Sequence, residues 1–252
     1  KPGAKPGAKR TGPPKPGAKP AGSRPPAGPR PPAAPRIPDD VTPDELDPSV
    51  LNELRTLPED LGARVARHLV AADRLLTEDD IFGARAHAQE AKRLARRVAA
   101  VREAAGVVAY LDGDYETALA DLRTVRRMRG SDDMVAMMAD CERGLGQPTR
   151  ALELLRGVDL AKVAPAERVE LALVTAGARA DLGQLDAALL VLRAPSLSRL
   201  EAGTPRARLE YAYSALLERA GRDAQAREWL ERAARSDLEG ATDAADRLGG
   251  LA

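Results

Sequence analysis

The chain has 252 residues, a formal net charge of +1, one cysteine and an aromatic content of only 2%. A single cysteine excludes an intramolecular disulfide framework and a cysteine-based zinc cluster. The apolar residues are mostly Ala, Leu and Val, which favours a helical core over an all-β core rich in aromatic residues.

Residues 1–38 differ in composition from the rest of the chain. They contain 13 of the 20 prolines, nine of the 39 Lys and Arg residues, and no Asp or Glu. The remaining residues therefore carry 30 basic against 38 acidic side chains, and the near-zero net charge is a cancellation. A Pro/Lys/Ala/Gly-rich segment buries too little apolar surface to offset its ordering entropy, so we predict a disordered basic tail.

Three interpretations of this tail are open. It is a solvated spacer, or it docks on an acidic surface of the same chain, or it contacts a polyanion such as nucleic acid. The residues that would contact a polyanion are Lys1, Lys5, Lys9, Arg10, Lys15 and Lys19. No aromatic residue lies between these charges, so the tail offers no platform for base stacking.

Residues 39–60 are predicted to be a linker with a short docking helix. Asp44 or Asp47 is suited to cap a helix over Pro48–Leu57, because Pro48 fits the first turn and Pro58 ends the helix. The leucines of this helix fall at threefold spacing and give it one apolar edge.

Residues 61–250 show helical periodicity interrupted by short polar turns. The pattern predicts helices over Leu61–Leu76, from the break at Thr77–Asp80 to Val98, over Val101–Leu111, from Tyr115 to Met128, and so on to a last helix at Gly240–Leu248. Because strands are not needed anywhere, the predicted fold class is all-α, built from antiparallel helix hairpins. No apolar run approaches the roughly 18 residues of a membrane span.

An internal repeat organises these hairpins. The turn glycines Gly113, Gly146, Gly183 and Gly221 are spaced by 33, 37 and 38 residues. An alanine follows each glycine by five residues, and a leucine follows each alanine by four. The alanines are Ala118, Ala151, Ala188 and Ala226. An earlier unit fits the same frame, with Ala84 in the alanine position and Asp79 in the turn.

This repeat resembles the tetratricopeptide repeat (TPR) family, whose units are helix hairpins of about 34 residues. The best match is the segment with Gly106, Gly113, Tyr115 and Ala118, where small residues allow close helix packing. The resemblance implies an α-α superhelix of about five hairpins plus a terminal capping helix. Later units lack the aromatic residue after the turn, and Pro195 interrupts one second helix. Another α-α repeat or an irregular helical bundle is the competing interpretation.

Candidate catalytic groups are few. His68 lies on an apolar helix stripe and is interpreted as structural, whereas His87 and Glu90 are one turn apart without a third metal ligand. Cys141 has no histidine near it in sequence and is interpreted as a buried thiol. The Gly144–Gly146 segment lacks the ending of a phosphate-binding loop. We therefore expect no enzyme, no metal and no cofactor.

The TPR resemblance implies a concave groove lined by the first helix of each hairpin. The groove candidates are Asp73, Glu103, Val107, Tyr110, Met137, Asp140, Arg143, Glu170, Arg208, Tyr211 and Glu218. Acidic positions outnumber basic ones in the middle hairpins, and the Lys/Asn set of chaperone-binding family members is absent. Met134, Met137 and Met138 fit either core filling or an adaptable binding patch.

The function predicted from the sequence is a non-enzymatic scaffold whose groove binds a basic or amphipathic protein segment. The alternative is a nucleic-acid- or ribosome-associated adaptor tethered by its basic tail. A lone cysteine and the lack of an apolar leader lead us to expect a cytoplasmic protein without a membrane partner. The bias toward Arg, Ala and Leu resembles that of a GC-rich bacterial genome.

Overall fold

The computed structural model describes residues 34–160, 163–194, 197 and 200–250. The predictions made for the tail at residues 1–33 lie outside these residues, as does Pro195. Within the described residues every regular element is helical, and none of the helices combines the length and apolar character needed to cross a bilayer.

The described elements follow one another as helix hairpins. A 3-10 turn at Pro43–Glu45 precedes α1 (Pro48–Leu54), α2 (Glu59–Thr77), α3 (Ile81–Ala95), α4 (Ala99–Leu111), α5 (Tyr115–Arg129), α6 (Val135–Gly144), α7 (Pro148–Arg156), α8 (Pro165–Asp181), α9 (Leu185–Leu192), α10 (Thr204–Arg219), α11 (Asp223–Ser236) and α12 (Ala244–Gly249). Helices α2 to α11 pair consecutively into five hairpins, and α12 packs on α11. The predicted all-α solenoid of about five hairpins with a terminal capping helix is confirmed for this part of the chain.

The turn of each hairpin requires a left-handed backbone. The φ angles of Gly113, Gly146, Gly183 and Gly221 are 76°, 71°, 75° and 70°, a region that glycine adopts without steric cost. The first hairpin places Asp79 at this position with a φ of 60°. The backbone conformation therefore confirms the repeat alignment that placed Asp79 at the position of the turn glycines.

Small residues at the repeat positions allow the paired helices to approach closely. The five repeat alanines (Ala84, Ala118, Ala151, Ala188 and Ala226) are at most 1% exposed. A Cβ atom added to Gly106 would lie 3.0 Å from Cδ2 of Leu122, so a methyl group there would require the Leu122 side chain to shift by a few tenths of an ångström.

The first residues of the described chain are fixed against α2. Val41 is buried, and its carbonyl accepts a hydrogen bond from Arg67 Nε at 2.9 Å. Arg67 Nη2 also donates to the carbonyl of Pro38 at 3.1 Å, and Arg74 forms ion pairs with Asp40 and Glu45. The 38–45 segment therefore follows the surface of the first hairpin.

Helix α1 precedes the first hairpin in the chain and packs against α2 and α4, one helix from each of the first two hairpins. Asp47 caps it by accepting a hydrogen bond from the Ser49 N–H at 2.7 Å, as one of the two sequence alternatives predicted. Glu53 Oε2 accepts from the N–H of Ala100 at the start of α4 (2.8 Å), and its Oε1 atom pairs with Arg129 of α5 (2.8 Å). A residue that precedes the first hairpin thus stabilises the second.

Several helix bounds differ from the prediction. Helix α1 ends at Leu54 and not at Leu57, and α3 ends at Ala95, which lets α4 begin at Ala99. The last helix begins at Ala244 and not at Gly240, because Gly240 has a φ of 69° and the next residues form a loop. The side chain of Asp237 holds this loop by accepting hydrogen bonds from two of its N–H groups.

Candidate functional site

Two adjoining cavities lie along the first helices of the second to fifth hairpins. Their volumes are about 800 Å³ and about 530 Å³. Both are lined by Tyr110 of α4, Asp140 of α6, Glu170 and Val174 of α8, and Arg208 of α10. We call the two cavities together the acidic groove.

The structure brings seven of the eleven sequence-predicted groove residues to the walls of these cavities. They are Tyr110, Met137, Asp140, Arg143, Glu170, Arg208 and Tyr211. Glu103 forms an ion pair with Arg129, and Glu218 forms one with Arg247, so both carboxylates are held by neighbouring helices. Asp73, which is exposed, and Val107, which is half-buried, line neither cavity.

A polar network fixes the groove wall between α4, α6 and α8. The Tyr110 hydroxyl donates to Asp140 Oδ2 at 2.6 Å, and Arg143 Nη1 donates to Asp140 Oδ1 at the same distance. Arg143 Nε also donates to Asp181 Oδ2 at 2.8 Å. The Arg143 guanidinium packs directly over Gly177, where a larger residue would collide with it. The network therefore joins three consecutive hairpins.

The pKa values of two network residues follow from this arrangement. Burial raises the pKa of the Tyr110 hydroxyl above its usual range, and its hydrogen bond to Asp140 adds to the shift. Burial alone would lower the pKa of Arg143, but its bonds to Asp181 and Asp140 outweigh that effect and raise the pKa. Both side chains stay in their protonated forms across the physiological range.

The larger cavity has an apolar wall. Met134, which directly precedes α6, and Met137 of α6 line it together with Leu171 and Val174 of α8. Met138, one residue further along α6, is only 1% exposed and belongs to the core. Core filling is therefore confirmed for Met138, whereas a binding role of Met134 and Met137 stays a prediction.

Carboxylates surround this apolar wall. Asp132, Asp133, Glu167 and Glu170 line the larger cavity; Asp132 pairs with Arg126, and Glu170 pairs with Arg208. Asp133 accepts a hydrogen bond from the Ser131 hydroxyl, and Glu167 accepts one from a backbone N–H. Neither of these two carboxylates has a cationic partner among the described residues, so this part of the groove carries negative charge.

Sequence reasoning missed part of the groove lining. Glu167, Leu171 and Val174 lie on the groove face of α8, and Thr242 and Asp243 come from the loop before α12. The sequence spacing of the three α8 residues, four and three positions apart, could have predicted that they share one helix face. The contribution of the loop could not be predicted from the sequence, because only the packing of α12 brings the loop over the groove.

The other candidate residues are placed in the hairpin interiors. The Nδ1 atoms of His68 and His87 are 3.0 Å apart and both rings are buried, whereas Glu90 pairs with Arg93. Burial lowers the pKa of His68 to about 4 and also lowers that of His87. Within the described residues, no group of three or more His, Cys, Asp or Glu is arranged to hold a metal. Cys141 is fully buried, which raises the pKa of its thiol to about 12.

Solved structures share this arrangement of hairpins. The Rap conjugation gene regulator of the plasmid pLS20, in complex with the Phr* peptide, superposes with a TM-score of 0.56 and 16% identity. The match covers 69% of this chain and 53% of the Rap chain, so the chain spans about half the length of that regulator. The MamA fragment 41-end from Desulfovibrio magneticus RS-1 superposes with a TM-score of 0.51 and 18% identity, covering 70% of this chain and 96% of MamA. The chain has a TPR-like fold.

At sequence identities of 16% and 18%, the similarity to these structures shows the fold alone. The TPR protein YrrB, described as having an unusual peptide-binding site, gives a TM-score of 0.44 and 20% identity, covering 69% of this chain and 87% of that one. No protein-family model and no curated protein matches the sequence. Any function of this TPR-like solenoid has to be argued from its own groove.

Proposed function

We propose that the acidic groove binds a basic, amphipathic segment of another protein, and that the chain is a non-enzymatic interaction scaffold. The observation that carries this proposal is the combination of an apolar methionine-containing wall with two carboxylates, Asp133 and Glu167, that have no cationic partner in the part of the chain that the structure describes. Methionine side chains adapt to differently shaped apolar partners, and unpaired carboxylates attract Lys and Arg.

The size of the groove fits such a segment. A cavity of about 800 Å³ holds several side chains, and the adjoining cavity of about 530 Å³ extends it along the same helices. An amphipathic helix or extended peptide would place its apolar face on Met137 and Leu171 and its cations beside the carboxylates. The peptide complex of the Rap regulator supports this use of a related fold, although the proposal rests on the side chains of the present groove.

The buried groups support a binding role over a catalytic one. Cys141 has no access to a substrate and a raised pKa, and the two histidines face each other inside the first hairpin. The nucleic-acid alternative depended on cations at residues 1–33, outside the described residues, and it stays a prediction from the sequence.

The test is fluorescence anisotropy with two designed peptides of about four helical turns. One carries Lys and Leu on opposite faces, and the other replaces every Lys with Glu. We expect binding of the Lys peptide alone, with an affinity that falls as salt is added. Asp133→Asn combined with Glu167→Gln should weaken binding about tenfold, because two attractive charges are removed at the rim.

The matched control is Glu116→Gln combined with Glu228→Gln, which removes the same charge from exposed positions on α5 and α11. The control should bind the Lys peptide like the unmodified chain. Equal weakening by both double variants would show that only net charge matters, and the proposal would be wrong. Equal affinity for the Lys and Glu peptides would also contradict it.

A further inference from the structure

A second concave surface lies on a different face of α4 from the groove. A pocket of about 470 Å³ is lined by Arg85, Gln89, Lys92, Arg93, Arg96 and Arg102. The first five residues belong to α3 and the turn that follows it, and Arg102 belongs to α4. The α4 residues of this pocket (Arg102, Ala105 and Ala109) differ from Tyr110, which α4 contributes to the groove. We call this surface the basic pocket.

The base of the basic pocket already holds a carboxylate. Asp121 of α5 is 2% exposed, and its Oδ1 atom accepts a hydrogen bond from Arg102 Nη1 at 2.7 Å. Its other oxygen forms an ion pair with Lys92. Two cations share one carboxylate here, so positive charge is in excess at the base of the pocket.

The rim adds one positive charge that no carboxylate neutralises among the described residues. Arg96 is exposed and has no carboxylate partner among the described residues. Arg93, also exposed, forms a two-pronged ion pair with Glu90 on the same helix. Gln89 lies on the exposed wall of the pocket with a neutral side chain. Arg85, the remaining cation of the lining, pairs with Asp112 and Asp114. The uncompensated positive charge of the pocket is therefore that of Arg96 and of the Lys92, Arg102 and Asp121 cluster, on a chain whose residues after 38 carry an acidic excess.

We infer that the basic pocket is a second interaction surface that binds an acidic segment of a partner protein. It lies apart from the groove and has the opposite charge preference, so it goes beyond the proposed function. Arginine guanidinium groups match carboxylates in a two-pronged geometry, as Arg93 shows on Glu90. An incoming Asp or Glu would meet Arg96 at the rim and the surplus charge of Lys92 and Arg102 at the base.

Two observations favour an acidic peptide over nucleic acid. None of the described residues that line the basic pocket is aromatic, so they give bases no surface on which to stack. The net excess of acidic residues after residue 38, 38 acidic against 30 basic, also repels a long polyanion that extends beyond the pocket. A short acidic segment makes its contacts locally and avoids most of that repulsion.

The test changes the charge at Gln89, whose exposed side chain forms no hydrogen bond with another of the described residues. Binding of a fluorescein-labelled peptide of alternating Glu and Leu, about three helical turns long, is measured by anisotropy. Gln89→Lys should tighten binding about threefold and Gln89→Glu should weaken it about threefold, as expected for one charge near a ligand at the protein surface. Arg96→Gln should weaken binding by a similar factor.

Matched controls use Gln225, an exposed glutamine on α11. Gln225→Lys and Gln225→Glu make the same changes in net charge and should leave the affinity unchanged. The inference is overturned if the affinity for the peptide does not decrease in the order Lys, Gln, Glu at position 89. It is also overturned if the substitutions at position 225 change the affinity as much as those at position 89. Tighter binding of a labelled random-sequence DNA duplex than of the Glu peptide, with the same dependence on position 89, overturns the choice of a protein partner.

A last comparison separates this inference from the groove proposal. The Asp133→Asn/Glu167→Gln variant should bind the Glu peptide with unchanged affinity, because those residues line only the groove. A changed affinity for the Glu peptide in this variant, above all tighter binding after two repelling carboxylates are removed, would show one shared site and overturn the inference. If the Lys peptide fails to bind, the groove proposal is wrong, but the effect of substitutions at position 89 on Glu-peptide binding still tests the basic pocket.

Discussion

Lowering the pH from about 7 to about 5 should remove about 2 kcal/mol from the stability of the first hairpin. His68 and His87 are 2% and 5% exposed, and their Nδ1 atoms are 3.0 Å apart, so one must donate to the other while both rings are neutral. In the unfolded chain His68 titrates near 6.5, whereas in the folded protein its pKa is about 4. Between these values the unfolded chain binds more protons, so the free energy of unfolding falls as the pH falls.

The magnitude follows from proton linkage. At about pH 5 an unfolded histidine is almost fully protonated and His68 in the fold is not, which costs about 2 kcal/mol. His87, whose pKa burial also lowers, contributes in the same direction. Carboxylates with lowered pKa values, such as Glu90, lose their stabilising charge only at lower pH.

Hydrogen exchange resolves the effect by position. Protection factors of the amides in α2 and α3 should drop about thirtyfold between about pH 7 and about pH 5. Trp229, the single tryptophan, lies in α11 of the last hairpin, and its fluorescence melt should shift much less because each hairpin contacts mainly its neighbours. His68→Leu combined with His87→Leu removes both partners and should flatten the pH dependence. An equal loss of protection in that double variant would refute the reasoning.

Substitutions at Asp79, Gly106 and Tyr110 test the packing, each measured by denaturant unfolding monitored by circular dichroism. Asp79→Gly should raise the free energy of unfolding by about 1 kcal/mol because φ is 60° there, whereas Asp79→Ala should lower it; equal effects would contradict the strain. Gly106→Ala should cost about 2 kcal/mol because its Cβ would lie 3.0 Å from Leu122 Cδ2, and the cost should shrink when Leu122→Ala is also present. Tyr110→Phe should cost about 1 kcal/mol through loss of the bond to Asp140, and no loss would show that this bond adds nothing to stability.

The repeat architecture could be predicted from the sequence because it depends on the backbone conformation and the side-chain size that single positions require. A left-handed turn selects glycine, and a close helix approach selects alanine, so both leave a mark at fixed spacing in the sequence. The substitution of Asp79 for glycine was detectable only because the other units defined the frame. Helix ends were less accurate, since the end of α1 at Leu54 and the loop at Gly240 depend on contacts with other elements.

The site was harder to predict because its charges are decided by distant partners. Glu103 and Glu218 have the expected helix positions, but arginines 26 and 29 residues away hold their carboxylates. The pairing of His68 with His87 has the same origin, since two residues 19 apart gave no sign of facing each other. The basic pocket draws on three helices and a buried Asp121, a combination that no single helix face reveals.

The anchoring of the 38–45 segment decides where the chain can be shortened. A deletion of residues 1–38 would remove the carbonyl of Pro38 that Arg67 holds, and it would leave the neighbouring bond to Val41 at a new chain terminus. A cut at residue 33 removes the lysine-rich repeat and leaves these bonds intact. A cut at residue 60 would also take away Glu53, and with it the cap on α4 and the partner of Arg129. The first hairpin begins at Glu59, but the smallest intact solenoid begins about twenty residues earlier.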